Sequence, residues 1–205
     1  MEEILLKMKI AKAIYIVCAF VPIVFFALKY KMQRSETVGF FIGLGANLGT
    51  FFACAFPVII SVASQIPVLE IICTIAVFVI PIFLYYSILS KYISEAKIAQ
   101  AFSLGLSQAS MLFCILIVNL SANDFIWREQ EKRYEGNYYT GGYNKLFVTF
   151  IIMAAVKIIL IVLSAFAVKK IYLSKNIPPK GHAVLSSLIM FLCGIGADLV
   201  LIAVT

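Results

Sequence analysis

The chain has 205 residues, of which 63% are hydrophobic and 13% are charged, and its formal net charge is +7. Soluble globular domains average about half apolar and about a quarter charged residues, so this chain has too few charges to cover a water-facing surface. The composition excludes an ordinary soluble enzyme, a disordered chain and a disulfide-stapled secreted domain, and it predicts an all-α polytopic integral membrane bundle.

A membrane-crossing helix needs roughly 20 mostly apolar residues. Six windows of the sequence meet this requirement and fill the chain, so we expect about six transmembrane helices in a single membrane domain, 1–205. The predicted spans are about 10–28, 38–62, 68–89, 98–120, 147–168 and 183–204, and the one long loop is 121–146. The first span follows several lysines but leads directly into Lys29 and Lys31 without a small-residue cleavage pattern, so we interpret it as a retained helix.

The second predicted span carries two rows of small residues at four-residue spacing. One row is Gly39, Gly43 and Asn47, and the other is Gly45, Gly49 and Ala53. This spacing allows membrane helices to approach closely, so we interpret both rows as packing surfaces. The amide of Asn47 is additionally expected to reach a stripe of polar side chains on the fourth span.

Prolines and cysteines also fall within the spans. Pro57 and Pro81 each remove a backbone donor and are expected to bend their helices. The five cysteines have no CxxC spacing, so we interpret them as small apolar packing residues rather than as a redox pair or a zinc site.

The fourth predicted span carries a stripe of polar and small side chains on one helical face. Its members recur at steps of three or four residues: Gln100, Ser103, Ser107, Ser110 and Cys114. Gln108 lies at the edge of the stripe and Asn119 lies further along the span. Such a stripe either joins helices by hydrogen bonds or lines a polar pathway, and the pattern leaves both interpretations open.

The long loop combines a mixed charged and aromatic half with a half rich in tyrosine and glycine. Trp127 is expected at the level of the lipid headgroups, where indole rings are favoured. Tyr138 and Tyr139 lie in the glycine-rich half. The loop is interpreted as an interfacial cap on one end of the bundle or, alternatively, as a docking surface for a partner.

The fifth and sixth predicted spans each contain one ionisable residue well inside the apolar sequence, Lys157 and Asp198. A lone charge in hydrocarbon costs several kcal/mol, so such residues usually face the bundle interior and pair. The two residues lie at depths that differ by about one helical turn, which a lysine side chain can cover. We therefore predict a contact between Lys157 and Asp198, either as a structural ion pair or as a site that couples to an ion, proton or substrate.

The remaining basic residues lie at the ends of the spans and serve as topology signals. The first, third and fifth loops hold three, two and four basic residues, whereas the opposite side holds three, none and four. This small bias favours a multi-pass protein of the plasma membrane with both termini outside. Because the charges lie in short loops rather than on one basic face, we expect no nucleic-acid partner.

Catalytic patterns are absent from the sequence. It contains one histidine and no HExxH, Walker or Gly-x-Ser-x-Gly motif, so we expect no metal, no cofactor and no catalytic residues. The favoured function is a small transporter, channel or transmembrane ligand-binding transporter subunit. The alternative is a non-catalytic accessory or assembly subunit of a membrane complex or homo-oligomer, and an intramembrane enzyme is the least favoured class.

Overall fold

The computed structural model describes residues 32–64, 66–109 and 141–204, together with 6, 9–10, 13–14, 16–17, 20–21, 24 and 28. The side chains of 58, 61–62, 141–147, 149–150, 153 and 195–204 lie outside this description. The described residues are helical apart from short turns, with no strand among them, so the all-α class is confirmed.

Five helices occupy the continuous part of the description. They are α1, Arg34–Ser64; α2, Pro67–Tyr92; α3, residues 96–109; α4, Gly141–Leu173; and α5, Pro179–Val204. The second, third, fifth and sixth predicted spans fall inside α1, α2, α4 and α5, and the fourth begins within α3. Only scattered residues of the first predicted span are described, and all of them are helical, whereas most of the long loop lies outside the described residues.

Two of the described helices are long and apolar enough to cross a membrane. In α1 this stretch is Arg34–Pro57, with a mean hydropathy of 1.6, and in α2 it is all of Pro67–Tyr92, with a mean hydropathy of 2.5. Large apolar side chains such as Phe52 and Phe83 project outward from them. By length and composition, these two helices suggest a membrane location.

The beginnings of α1 and α2 follow from local sequence. The carboxylate of Glu36 accepts a hydrogen bond from the backbone N–H of Gln33 at 3.0 Å, so it caps the free end of α1. Pro67 occupies the first turn of α2, where the N–H that it lacks has no helical partner. Glu70 in the first turn and Lys91 in the last turn complement the dipole of α2.

Pro81 lies inside α2 without ending it, and α1 compensates for the missing donor. A proline at this position cannot donate to the carbonyl of Val77, four residues earlier. The thiol of Cys54 on α1 donates instead to that oxygen, at an S···O distance of 3.7 Å. Cys54 is therefore a donor to a proline-freed carbonyl as well as a small packing residue.

Helix α3 crosses α1 at backbone contact, and this crossing depends on glycine. A Cβ added to Gly39 would lie 2.8 Å from the side chain and 3.0 Å from the carbonyl oxygen of Ile98. A Cβ at Gly43 would overlap the carbonyl of Phe102, and one at Gly105 would overlap the carbonyl of Phe40. The first predicted row of small residues therefore packs as expected.

The second row of small residues has different surroundings. A Cβ added to Gly45 or Gly49 would meet nothing within 4 Å, and both glycines are exposed. Among the described residues no helix packs on this row, so its role as a packing surface stays a prediction.

The core lies where α2, α3, α4 and α5 meet. Helix α2 packs on both α1 and α5, and α4 packs on α5. The largest fully buried side chains include Tyr85, Leu89, Phe102, Leu106 and Met190. Every residue from 99 to 109 is buried, so α3 is the central element of the described bundle.

Candidate ligand-binding cavity

Three residues of the predicted polar stripe, Gln100, Ser103 and Ser107, lie buried in α3, whereas Ser110 and Cys114 lie outside the described residues. Ser103 and Ser164 on α4 share a hydrogen bond at 2.8 Å between their hydroxyl oxygens, and both side chains are fully buried. This contact joins α3 to α4, as expected of a stripe that holds helices together.

Other polar atoms of the stripe have no such contact. The Nε2 atom of Gln100, the hydroxyl of Ser107 and the Oε1 atom of Gln108 are buried and have no hydrogen-bond partner in the described structure. An unsatisfied buried donor or acceptor costs about 1–3 kcal/mol. Along α3, therefore, one paired serine lies between polar groups that have no hydrogen-bond partner among the described residues.

Asn47 reaches α3, as predicted, but contacts its backbone rather than a side chain of the stripe. Its Nδ2 atom donates to the carbonyl oxygen of Leu106 at 2.9 Å. Because Gly43 and Gly105 bring the two helices together one turn away, the short amide side chain is long enough to make this bond. Asn47 is therefore a buried link between α1 and α3.

A cavity of about 50 Å³ lies at the end of α3 where that helix begins. Its polar lining comes from Glu36 on α1, Lys97 and Gln100 on α3, and Lys169 on α4. Met32, Ala101 and Leu104 complete the wall. Gln100 belongs to both the cavity and the stripe, so the polar stripe starts at the cavity and continues into the bundle.

Glu36 is the least expected member of this cavity. It is only 7% exposed, and one of its carboxylate oxygens is committed to the Gln33 N–H. The sequence predicts no role for Glu36, because the charged residues near it, Lys31 and Arg34, are interpreted only as topology signals. A glutamate three residues into a helix is a recognisable capping pattern, but its burial comes from α3 and α4, which the pattern does not reveal.

Lys157 lies on the buried face of α4 and is only 3% exposed. Ala154, Ile161 and Ser164 share that face. The Ser103–Ser164 contact and the shared lining of Lys97 and Lys169 indicate that α3 and α4 run antiparallel. The same register puts Lys157 at the level of Gln108, about 18 Å along α4 from Lys169.

Several predicted site residues cannot be compared with this arrangement. The backbone of Asp198 belongs to α5, but its side chain lies outside the described residues. Asn119, Trp127, Tyr138 and Tyr139 lie outside them altogether. The contact between Lys157 and Asp198 therefore stays a prediction.

A second polar cluster joins the end of α4 to the beginning of α5. The Nε2 atom of His182 lies 3.0 Å from the carbonyl oxygen of Ser174, and its ring packs 5.3 Å from that of Tyr172. Burial raises the pKa of the Tyr172 hydroxyl to about 12, so this group stays protonated at neutral pH. The cluster fixes the turn between α4 and α5.

Comparisons of the chain with protein-family models, with curated proteins and with solved structures find no match in any of the three.

Proposed function

We propose that the chain is a small membrane transporter, channel or ligand-binding transporter subunit whose solute moves along the polar side of α3. The observation that carries this proposal is a run of buried polar atoms at Gln100, Ser107 and Gln108 for which the described part of the chain supplies no hydrogen-bond partner. It starts in a cavity at the end of the bundle and reaches the level of Lys157.

The alternative role of the stripe, joining helices, accounts for only part of it. Residues that hold helices together do so by hydrogen bonds across the contact, as Ser103 and Ser164 do. Unpartnered polar groups instead suit a pathway in which water or a polar solute supplies the missing hydrogen bonds. Three such atoms on one helix favour the pathway.

The topology that accompanies this function has six spans in the plasma membrane with both termini outside. In a bundle whose helices alternate in direction, the first, third and fifth loops lie on one side. Met32, Lys97 and Lys169 flank those three predicted loops, and all three line one cavity, which supports the alternation. Tags on each terminus, tested for protease access in intact cells, check the orientation, and protected termini would contradict it.

Lys157 and Asp198 are proposed as the deep end of the pathway, where they pair or couple to the solute. The buried position of Lys157 supports this role. Asp198→Asn removes the charge at nearly constant size. A chain that carries this substitution at normal abundance should lose solute movement, and undiminished movement would remove Asp198 from the pathway.

Gln108→Met provides the sharpest test of the pathway. Methionine is close to glutamine in size but lacks its polar atoms, so the substitution removes an unsatisfied buried acceptor. In proteoliposomes assayed with a panel of small ions and neutral solutes, the native chain should raise the flux of at least one solute. The variant should reduce that flux about tenfold, as a barrier of about 1.4 kcal/mol would, and unfold at the same or a higher temperature.

Thr74→Val is the matched control, because Thr74 is exposed on α2 and bonds only to the carbonyl of Glu70 in its own helix. This variant should leave flux unchanged. If Gln108→Met lowered thermal stability and preserved flux, Gln108 would be structural and the pathway would be contradicted.

A second candidate function, an accessory subunit of a membrane complex or homo-oligomer, is favoured by one observation. Gly45 and Gly49 form a row of small residues that faces away from the described helices, and Phe41 and Phe52 lie exposed on the same side of α1. Such a row suits a close contact with a further membrane helix. Purification in mild detergent distinguishes the two functions, since a stably co-purifying subunit supports the accessory role.

A further inference from the structure

The electrostatics of the cavity identify the class of ligand that it suits. Two lysines and one glutamate contribute to its wall, so the charges of the lining residues leave an excess of one positive charge. Within the part of the chain that the structure describes, no other carboxylate lines it. The lining also contains Gln100, which is 6% exposed and whose Nε2 donor has no partner.

The partial charges at the helix ends next to the cavity also favour an anion. Helix α1 begins at Arg34 and α3 begins at residue 96, so Glu36, Lys97 and Gln100 all lie in or next to first turns. The N-terminus of a helix carries a partial positive charge and free N–H groups, and both favour an anion. The last turn of α4 carries the opposite partial charge, but no residue after Lys169 lines the cavity.

A cation is a poor match for the same lining. One carboxylate oxygen of Glu36 already accepts the Gln33 N–H. Hard cations need several oxygen ligands, and six or more for calcium. The lysine ammoniums carry three donors each and no acceptor. Donors therefore outnumber acceptors in the lining.

The volume limits the size of the ligand. A water molecule needs at least about 10–15 Å³ of such a cavity, so about 50 Å³ holds about three to five positions of that size. A phosphate group, with five heavy atoms, is of this order. Lysine ammoniums are common partners of such groups.

We infer that the cavity between Glu36, Lys97, Gln100 and Lys169 binds a compact oxyanion of the phosphate type. This inference deepens the proposed function, on which it rests, by naming the class of solute that occupies the start of the pathway. Free phosphate and the phosphate of a lipid headgroup both present this chemistry. A headgroup is within reach because the cavity lies at the end of a bundle that exposes large apolar side chains.

The experiment uses the full chain, purified in an uncharged detergent. Binding of radiolabelled inorganic phosphate is measured at equilibrium, and retention of phosphatidylglycerol is measured by native mass spectrometry with and without competing phosphate. We expect saturable 1:1 binding of one or both. Lys97→Met should weaken it about tenfold, the loss expected for one charge-assisted contact worth about 1.4 kcal/mol. Gln100→Glu, which replaces the amide donor with a carboxylate, should weaken it further.

Lys91→Met is the matched control. Lys91 is an exposed lysine at the end of α2, close in sequence to Lys97, and it does not line the cavity. Its replacement should leave binding unchanged. Lys97 is also exposed, so neither lysine variant should alter thermal unfolding in the absence of phosphate. The two lysine variants therefore still test the inference if Gln100→Glu fails to fold.

Each outcome has a defined meaning. Phosphate binding that depends on Lys97 identifies a free anion, whereas lipid retention that depends on Lys97 identifies a headgroup, and either result supports the inference. Absence of both, or equal losses in the Lys91 and Lys97 variants, overturns it. If neither phosphate nor lipid binds while solute flux still depends on Gln108, the inference fails and transport stands. If phosphate binds but no solute crosses, transport fails and the binding site stands.

Discussion

Two rows of small residues on α1 have the same spacing and opposite surroundings. Gly39 and Gly43 lie at backbone contact with α3, whereas Gly45 and Gly49 face away from every described helix. The buried residues of α1 follow the first row, as at Ala46. Spacing alone therefore shows where a second helix could approach closely, but it does not show which of these places a helix occupies.

The sequence of helix α3 determines which of the two rows it packs on. Gly105 on α3 stands opposite Phe40, and a Cβ at that position would overlap the Phe40 carbonyl. Glycines on both helices bring the backbones together, and Asn47 then bonds across the contact to Leu106. The second row has no such counterpart in the described residues.

Gly43→Ala should produce the largest effect. The added methyl group would overlap the backbone of Phe102, which cannot move aside as a side chain can. Overpacking costs typically 1–3 kcal/mol, and we expect a loss of about 3 kcal/mol or failure to fold. Unfolding in a titration with a denaturing detergent, followed by circular dichroism, measures the loss. A variant as stable as the native chain would contradict the close crossing.

Asn47→Ala should produce an intermediate effect. It removes the hydrogen bond to the Leu106 carbonyl and leaves a small void, so we expect a loss of about 1 kcal/mol in the same titration. Thr50→Val is the control, because Thr50 is buried on the same face but bonds to Ala46 in its own helix. Equal losses in the two variants would show that the bond between helices contributes nothing specific.

The all-α class and most of the helices could be predicted, because they follow from composition and from the length of the apolar stretches. Apolar stretches of sufficient length mark the helices. The stripe from Gln100 to Ser107 is buried, but so is every residue from 99 to 109, so its spacing does not distinguish one face of α3. Asn47 does reach α3, but it bonds to the backbone carbonyl of Leu106 and not to a side chain of the stripe.

The cavity could not be predicted, because it arises from residues distant in sequence. Glu36, Lys97 and Lys169 each stand at the end of a different apolar stretch, where charges ordinarily face water or lipid headgroups. Only the packing of α3, which runs parallel to α1 and antiparallel to α4, brings them together. The sequence likewise does not reveal which glycine row packs on α3, because this depends on the position of Gly105 on α3 opposite Phe40.

Ser164→Ala should produce a small effect, and it extends the comparison from the glycine contact to the polar contact of α3. The hydroxyl pair of Ser103 and Ser164 is the kind of bond between membrane helices that contributes about 0.6 kcal/mol on average. A double-mutant cycle with Ser103→Ala should give a coupling energy of about that size. A coupling energy near zero would mean that the two hydroxyls are merely adjacent.

Gly45→Ala should produce the smallest effect, and it is the direct counterpart of Gly43→Ala. Its methyl group would project into open space, and alanine favours the helix more than glycine does. An exposed substitution of this kind changes stability by about 0.5 kcal/mol or less. The same unfolding titration should therefore separate the two variants by about 3 kcal/mol, although the glycines are two residues apart. If Gly45→Ala destabilised the purified chain as strongly as Gly43→Ala, another helix must pack on the second row. Loss of an associated subunit without loss of stability would identify that helix as belonging to a partner.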